Sequence, residues 1–177
     1  MGTATGFPFG RYHYTDTLGP RVLGVPVVVP VAWSMTAWPA LLAARRLTPS
    51  RKRRWLLATT ALASWDLFLD PQMVDAGHWR WHDVRASLPG VPGVPLSNYA
   101  GWVLVAAGVT GALELLVPQE RSRRVGDGPA HALLLWTWAG SALAHGVFWR
   151  RPAVAAWGGA AMGTVALPLA RSLWRRR

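Results

Sequence analysis

Residues 22–44 read VLGVPVVVPVAWSMTAWPALLAA, 23 residues in a row without a charged side chain. A run of about 20 apolar residues is long enough to cross the hydrocarbon core of a bilayer. It shows no polar face at the 3.6-residue period that a helix on the outside of a soluble core would need. Four more apolar stretches follow, at about 55–70, 98–117, 130–149 and 153–170. Basic clusters separate them: Arg45 and Arg46, residues 51–54, Arg121 with Arg123 and Arg124, Arg150 and Arg151, and residues 175–177. The spacing predicts an all-α fold, a polytopic transmembrane bundle of about five helices. It forms a single integral membrane domain over residues 1–177, with residues 71–97 as a long connector. The strict polar–apolar alternation of a membrane β-barrel is not seen.

The chain has 177 residues, 51% of them hydrophobic, with 12 Trp and no Cys. The lack of Cys excludes a disulfide scaffold, a thiolate metal site and a Cys nucleophile. The 19 basic residues, all Arg except Lys52, outnumber 8 acidic ones, for a net charge of +11. Taken as averages, that charge and a mean hydropathy of +0.18 suit a soluble nucleic-acid binder. The clumping of the charges argues otherwise. Nucleic-acid binding needs a basic patch on a folded surface, whereas 13 of the 19 basic residues fall on the first connector, the third connector and the C-terminal tail. The positive-inside rule puts that side in the cytoplasm. The N-terminus and the connector 71–97 then face outward. The expected setting is a multi-pass protein of the cell membrane, partnered by the lipid bilayer and its anionic headgroups and by no nucleic acid. Residues 1–20 have no signal-peptide shape. An outward N-terminus of this kind leaves room for helices upstream of the sequence.

Chemistry concentrates where the second helix ends, at Trp65-Asp66-Leu67-Phe68-Leu69-Asp70-Pro71-Gln72-Met73-Val74-Asp75. Asp66 and Asp70 are four residues apart and so share one helical face. Pro71 is expected to end the helix near Asp70, which puts Asp66 about 6 Å inside at a rise of ~1.5 Å per residue. A carboxyl at membrane depth is costly and marks a functional site by default. Two carboxylates one turn apart resist ionising together, and a retained proton is what a general acid requires. The plain alternative is structural: hydrogen bonds from Tyr, Trp or Arg, or ion pairs with Arg80 or Arg85. Asp75 falls in the connector and is the third candidate.

Downstream come His78, Trp79 and Trp81, a Gly/Pro-rich stretch over 90–97, and then Asn98, Tyr99 and Trp102. Trp and Tyr at an interface ordinarily form a membrane belt. Here they crowd the same outer end as Asp70, where ring faces could stabilise a cation. In the fourth helix His131, Trp138, Ser141, His145 and Trp149 fall on one face, with His145 near the outer end as a further candidate. Glu114 is expected to reach Arg121 or Arg124, or to snorkel to water. Asp66, Asp70 and Asp75 are loosely like the acidic motifs that hold magnesium-diphosphate in membrane prenyltransferases, but those use two acidic clusters and only one is visible. No metal and no cofactor is therefore expected.

These motifs carry a family resemblance. The segments Pro8-Phe9-Gly10-x-Tyr12-x-Tyr14, Gly24-Val25-Pro26, Val29-Pro30-x-Ala32-Trp33, Trp65 to Met73, Gly77-x-Trp79-x-Trp81 and Gly93-Val94-Pro95-x-x-Asn98-Tyr99-x-Gly101-Trp102 resemble the carotenoid biosynthesis membrane-protein family of the CruF type. That family comprises carotenoid 1',2'-hydratases, the bisanhydrobacterioruberin hydratases among them, and the likeness covers roughly residues 6–105. It implies hydration of the terminal C1'=C2' double bond of an acyclic carotenoid. Protonation at C2' leaves a tertiary cation at C1', which water captures. The resemblance makes Asp66 or Asp70 the acid and Trp65, Trp79, Trp81 and Trp102 the cation stabilisers. Asn98, Tyr99, His78 or the second Asp would hold water. Other membrane enzymes of the same pathway would be partners. Two alternatives stay open: a magnesium-dependent prenyl transfer, and a non-catalytic carotenoid-binding subunit.

Overall fold

The computed structural model of the protein describes residues 5–118 and 126–175. Arg121, Arg123, Arg124, Arg176 and Arg177 lie outside them. The described helices are α1 (Val28–Leu47), α2 (Arg51–Ser64), α3 (Asp66–Asp75), α4 (Leu96–Leu116), α5 (Gly128–Leu143) and α6 (Pro152–Trp174). A π-helical turn at Ala144–Phe148 continues α5. Trp65 keeps helical dihedrals between α2 and α3 (φ −63°, ψ −34°), so the six helices make five rods, as the apolar stretches predict. Two of them, α4 and α6, are long and apolar enough to cross a membrane.

Short antiparallel ribbons supplement the expected all-helical fold. β1 (Tyr12–Tyr14) pairs with β4 (Trp79–Trp81), β2 (Arg21–Val22) with β3 (Val25–Pro26), and β5 (Ser87–Leu88) with β6 (Val91–Pro95). The second ribbon corrects the start of the first helix, which begins at Val28 instead of 22. Its two-residue turn is Leu23-Gly24, with φ of +51° and +79°. A type I′ hairpin turn needs positive φ at both central positions. Glycine supplies one freely, and the register on either side commits Leu23 to the other.

Pro71 also departs from expectation. It lies buried within α3, which runs on to Asp75. The discontinuity falls at Trp65, whose N–H reaches the Leu62 carbonyl at 3.3 Å, one residue short of the α-helical spacing. Phe68 and Leu69 then both bond the Trp65 carbonyl at 3.0 Å and begin α3. Asp66 thus stands inside the rod, at the break between α2 and α3, and not in the last turn of a helix ended by Pro71.

The rods pack through small residues. Ala37, Ala40, Ala43 and Ala44 of α1 and Ala58 and Ala61 of α2 are fully buried, which lets the backbones approach closely. One contact seats α3. A Cβ on Gly158 of α6 would lie 2.6 Å from the Phe68 ring, so only glycine leaves room for that ring. Phe68 sits between Asp66 and Asp70 in sequence, and seating it fixes how the acid helix is rotated.

The two ends of the bundle differ in chemistry. At one end Glu114 is buried and held by Arg45 (Nε at 3.1 Å) and Arg54 (Nε at 2.7 Å). This replaces the expected reach toward Arg121 or Arg124 or to water, because α1 and α2 bring their cations against the end of α4. Arg45 also donates to the Val117 carbonyl at 2.7 Å, and Arg46 to the Ser172 carbonyl at 2.9 Å, drawing α6 to the same end. The other end gathers the ribbons, α3 and the start of α4.

Candidate functional site

A cavity of about 230 Å³ opens at the ribbon end. Seven aromatic side chains line it: Tyr12, Tyr14, Trp33, Trp65, Trp79, Trp81 and Trp102. The polar groups among them are Asp66, Asp70 and Asn98, and the remaining lining is aliphatic apart from Met73. Each side chain is placed by an identifiable element. α3 sets Asp66 and Asp70 one turn apart on the face that looks into the cavity. The start of α4 brings Asn98 to Asp70. The β1–β4 ribbon pairs Tyr12 with Trp81 and Tyr14 with Trp79, ring centroids 5.6 Å apart in each pair. These rings alternate with outward-facing His13 and Arg80, as the period-2 geometry of a strand requires. On the facing wall Trp33 stacks on Trp102 (4.2 Å, 22°) and meets Trp65 at 6.3 Å. Phe9 steadies that wall. Its ring lies 4.9 Å from Trp102 and occupies the space that a side chain at Gly101 would claim.

The two carboxylates are both essentially inaccessible, at 1% and 2% exposure, yet are held differently. Asp70 accepts a short hydrogen bond from the Asn98 amide. Asp66 has both oxygens buried with no hydrogen-bond partner among the described residues. Neither touches a cation there. The structural alternative of an ion pair with Arg80 or Arg85 is therefore not realised. A buried polar group without a partner costs free energy, so Asp66 is the group that gains most from whatever enters the cavity. The hydroxyls of Tyr12 and Tyr14 lie 3.5 Å apart beside the acids. Burial is the chief cause that pushes both phenols above the ordinary tyrosine range, and the Asp70 charge adds to it. They stay neutral, with O–H groups able to donate.

Of the candidates read from the sequence, Trp65, Asp66, Asp70, Trp79, Trp81, Asn98 and Trp102 converge on this cavity. The other four do not line it. The Asp75 side chain is 56% exposed and ion-paired with Arg151. His78 bonds Thr17 through Nδ1 at 2.7 Å. Tyr99 is half-buried, its hydroxyl without a hydrogen-bond partner among the described residues. His145, fully buried in the π-helical turn, stacks on Phe68 at 5.7 Å and meets Trp149 edge-on at 4.7 Å, behind the acid helix. Among the described residues no three His, Cys, Asp or Glu side chains gather into a metal-binding group.

Sequence reading placed Tyr12, Tyr14 and Trp33 in the segments of the family resemblance but did not name them as site residues. The first two had a signal: Tyr12-x-Tyr14 and Trp79-x-Trp81 share the alternation of a strand, and two such stretches can pair. For Trp33 the signal was its place in the Val29-Pro30-x-Ala32-Trp33 segment of the family resemblance, since nothing in the charge-free run itself marks one of its faces as inward.

Fold and cavity together define a helical protein with an aromatic-walled chamber around a buried acid pair. The chain belongs to the carotenoid biosynthesis protein family, whose sequence profile matches residues 1–165. It is also similar to a bisanhydrobacterioruberin hydratase of Haloarcula japonica, 37% identical over 111 residues, which are 59% of this chain and 36% of that protein. The similarity thus spans about a third of that curated relative's length. No solved structure matches the chain.

Proposed function

We propose that the protein hydrates the terminal C1'=C2' double bond of an acyclic carotenoid by acid catalysis. The observation that carries this reading is the Asp66 carboxyl, buried and unpartnered at the wall of an aromatic cavity. Asp66 gives its proton to C2', and the electron pair of the double bond forms the new C–H bond. The tertiary cation left at C1' faces the rings of Trp33, Trp65 and Trp102, whose π-electrons attract it. Water held by the Tyr12 and Tyr14 hydroxyls adds to C1'. Its surplus proton passes to Asp70, and transfer from Asp70 to Asp66, one helical turn away, restores the starting state. Asn98 orients Asp70 throughout by donating to its carboxylate. Alkene and water are consumed and a tertiary alcohol is formed. The reaction is redox-neutral and calls for no redox cofactor.

The same reading places the protein in the cell membrane as a multi-pass bundle, with the cavity at the outer end and the Arg-rich end in the cytoplasm. The charge distribution supports this, as does the surface of α4, whose apolar window is only 17% buried within the bundle. A core helix of a soluble protein would be mostly covered. Other membrane enzymes of the pathway would supply the acyclic polyene.

The test is expression in a host that accumulates an acyclic carotenoid, followed by mass spectrometry of the pigments. A product heavier by one water supports hydration. Pigment that co-purifies unchanged would instead mark a binding subunit. A product heavier by a prenyl unit, formed only with magnesium, would mark prenyl transfer.

A further inference from the structure

A second cavity, of about 480 Å³, lies at the opposite end of the bundle, between the start of α2 and the end of α4. Arg51, Lys52, Trp55, Gly111, Glu114 and Leu115 line it. The indole N–H of Trp55 donates to the Ala107 carbonyl at 2.8 Å, which pins the ring as one wall. Gly111 lies against the ring. A Cβ there would come within 3.4 Å of the indole nitrogen.

The charges on this groove are unbalanced. Glu114 is the one acid on its lining, and both its oxygens are already taken by Arg45 and Arg54. Arg51 and Lys52 are exposed and have no acidic partner among the described residues. Four cations thus surround one carboxylate, and the rim is left electropositive. Beside the rim the wall turns apolar. Leu115 and Leu116 are 69% and 79% exposed at the end of a membrane-length helix. A charged rim continuous with an uncovered apolar wall matches an amphiphile with an anionic head.

We propose that this groove binds one anionic phospholipid, its phosphate at Arg51 and Lys52 and an acyl chain along Trp55 and Leu115, an inference that rests on the membrane placement proposed above. Basic pockets between membrane helices recognise lipid headgroups in this way. A water-soluble phosphate would meet the same cations and gain nothing from the apolar wall.

Native mass spectrometry of the detergent-purified full chain tests this, with phosphatidylglycerol or phosphatidylcholine of identical acyl chains added. One phosphatidylglycerol should be retained up to about thirtyfold over phosphatidylcholine, the preference two surface cations can supply. The double variants Arg51→Ala/Lys52→Ala and Arg51→Gln/Lys52→Gln should both bring that ratio below twofold. Arg80→Ala/Arg85→Ala, at the other end of the bundle, should leave it unchanged. Equal retention of the two lipids would overturn the proposal, as would a ratio that survives neutralising Arg51 and Lys52 or falls equally in the Arg80/Arg85 variant. It also fails if inorganic phosphate raises the melting temperature as much as phosphatidylglycerol does. None of these outcomes bears on the hydratase reading.

Discussion

At one end of the bundle Glu114 is buried between Arg45 and Arg54, with ion-pair distances of 3.1 and 2.5 Å. At the other end Asp66 and Asp70 are buried just as deeply among tryptophans, with one amide to share and no cation in contact among the described residues. Burying a carboxylate costs several kcal/mol unless partners compensate. Glu114 is compensated twice over and ties α1, α2 and α4 together. The aspartate pair is not, although the sequence carries enough Arg to have paired it. An acid buried without a cation is a poor device for stability and a good one for delivering a proton. On the hydratase reading, the difference between the two ends separates a structural acid from a reactive one.

The sharpest way to break this comparison is to neutralise each acid in turn. Asp66→Asn should lower hydration by at least about a thousandfold, within the range that proton transfer by a placed acid contributes. The protein should still insert and should melt no lower, since no cation loses its partner. Pigment assays paired with a thermal melt check both halves, and an active Asp66→Asn protein would refute the assignment. Glu114→Gln should do the reverse. It strands two buried guanidinium groups, and breaking a buried pair costs about 3–5 kcal/mol. The melting temperature should fall steeply while hydration per folded molecule holds.

The cavity walls give a finer test. Trp33→Leu removes the ring stacked on Trp102 and should slow hydration about tenfold, the worth of roughly 1–2 kcal/mol of cation–π attraction in a desolvated site. Trp138→Phe should leave the rate unchanged, because the Trp138 indole bonds the Gly159 carbonyl away from the cavity. Equal losses in the two variants would mean that Trp33 acts through packing alone.

Much of this was legible in the chain, for physical reasons that can be named. The five rods followed from apolar stretches with few or no charges, because a polar group in an apolar phase is expensive and sequences avoid it. Asp66 and Asp70 followed from a four-residue spacing that any helix converts into a shared face. The Leu23-Gly24 turn was hidden, because an apolar residue at the tip of a hairpin reads like one more residue of a span. Pro71 misled, because a proline costs one N–H and one helical bond, and α3 could start anew at Trp65 and tolerate that loss. The partners of Glu114 were invisible, because they lie 60 and 69 residues away in sequence, beyond the reach of any local pattern. His145 looked like a site residue because its helical face is polar. The structure puts Phe68 between that face and the cavity.

Asp75 supplies the smallest expected effect. Sequence places it beside the two cavity acids, five residues beyond Asp70, and a motif reading groups all three. The structure turns it outward into an ion pair with Arg151 whose carboxylate is more than half exposed. Solvent screens such a pair, and exposed pairs contribute about 0–1 kcal/mol. Asp75→Asn should therefore shift the melting temperature by a degree or two and leave hydration within twofold of the parent. If Asp75→Asn instead matched the loss in Asp66→Asn, an exposed and paired acid would be as reactive as a buried and unpaired one. The contrast between compensated and uncompensated carboxylates would then no longer explain which acids in this protein do chemistry.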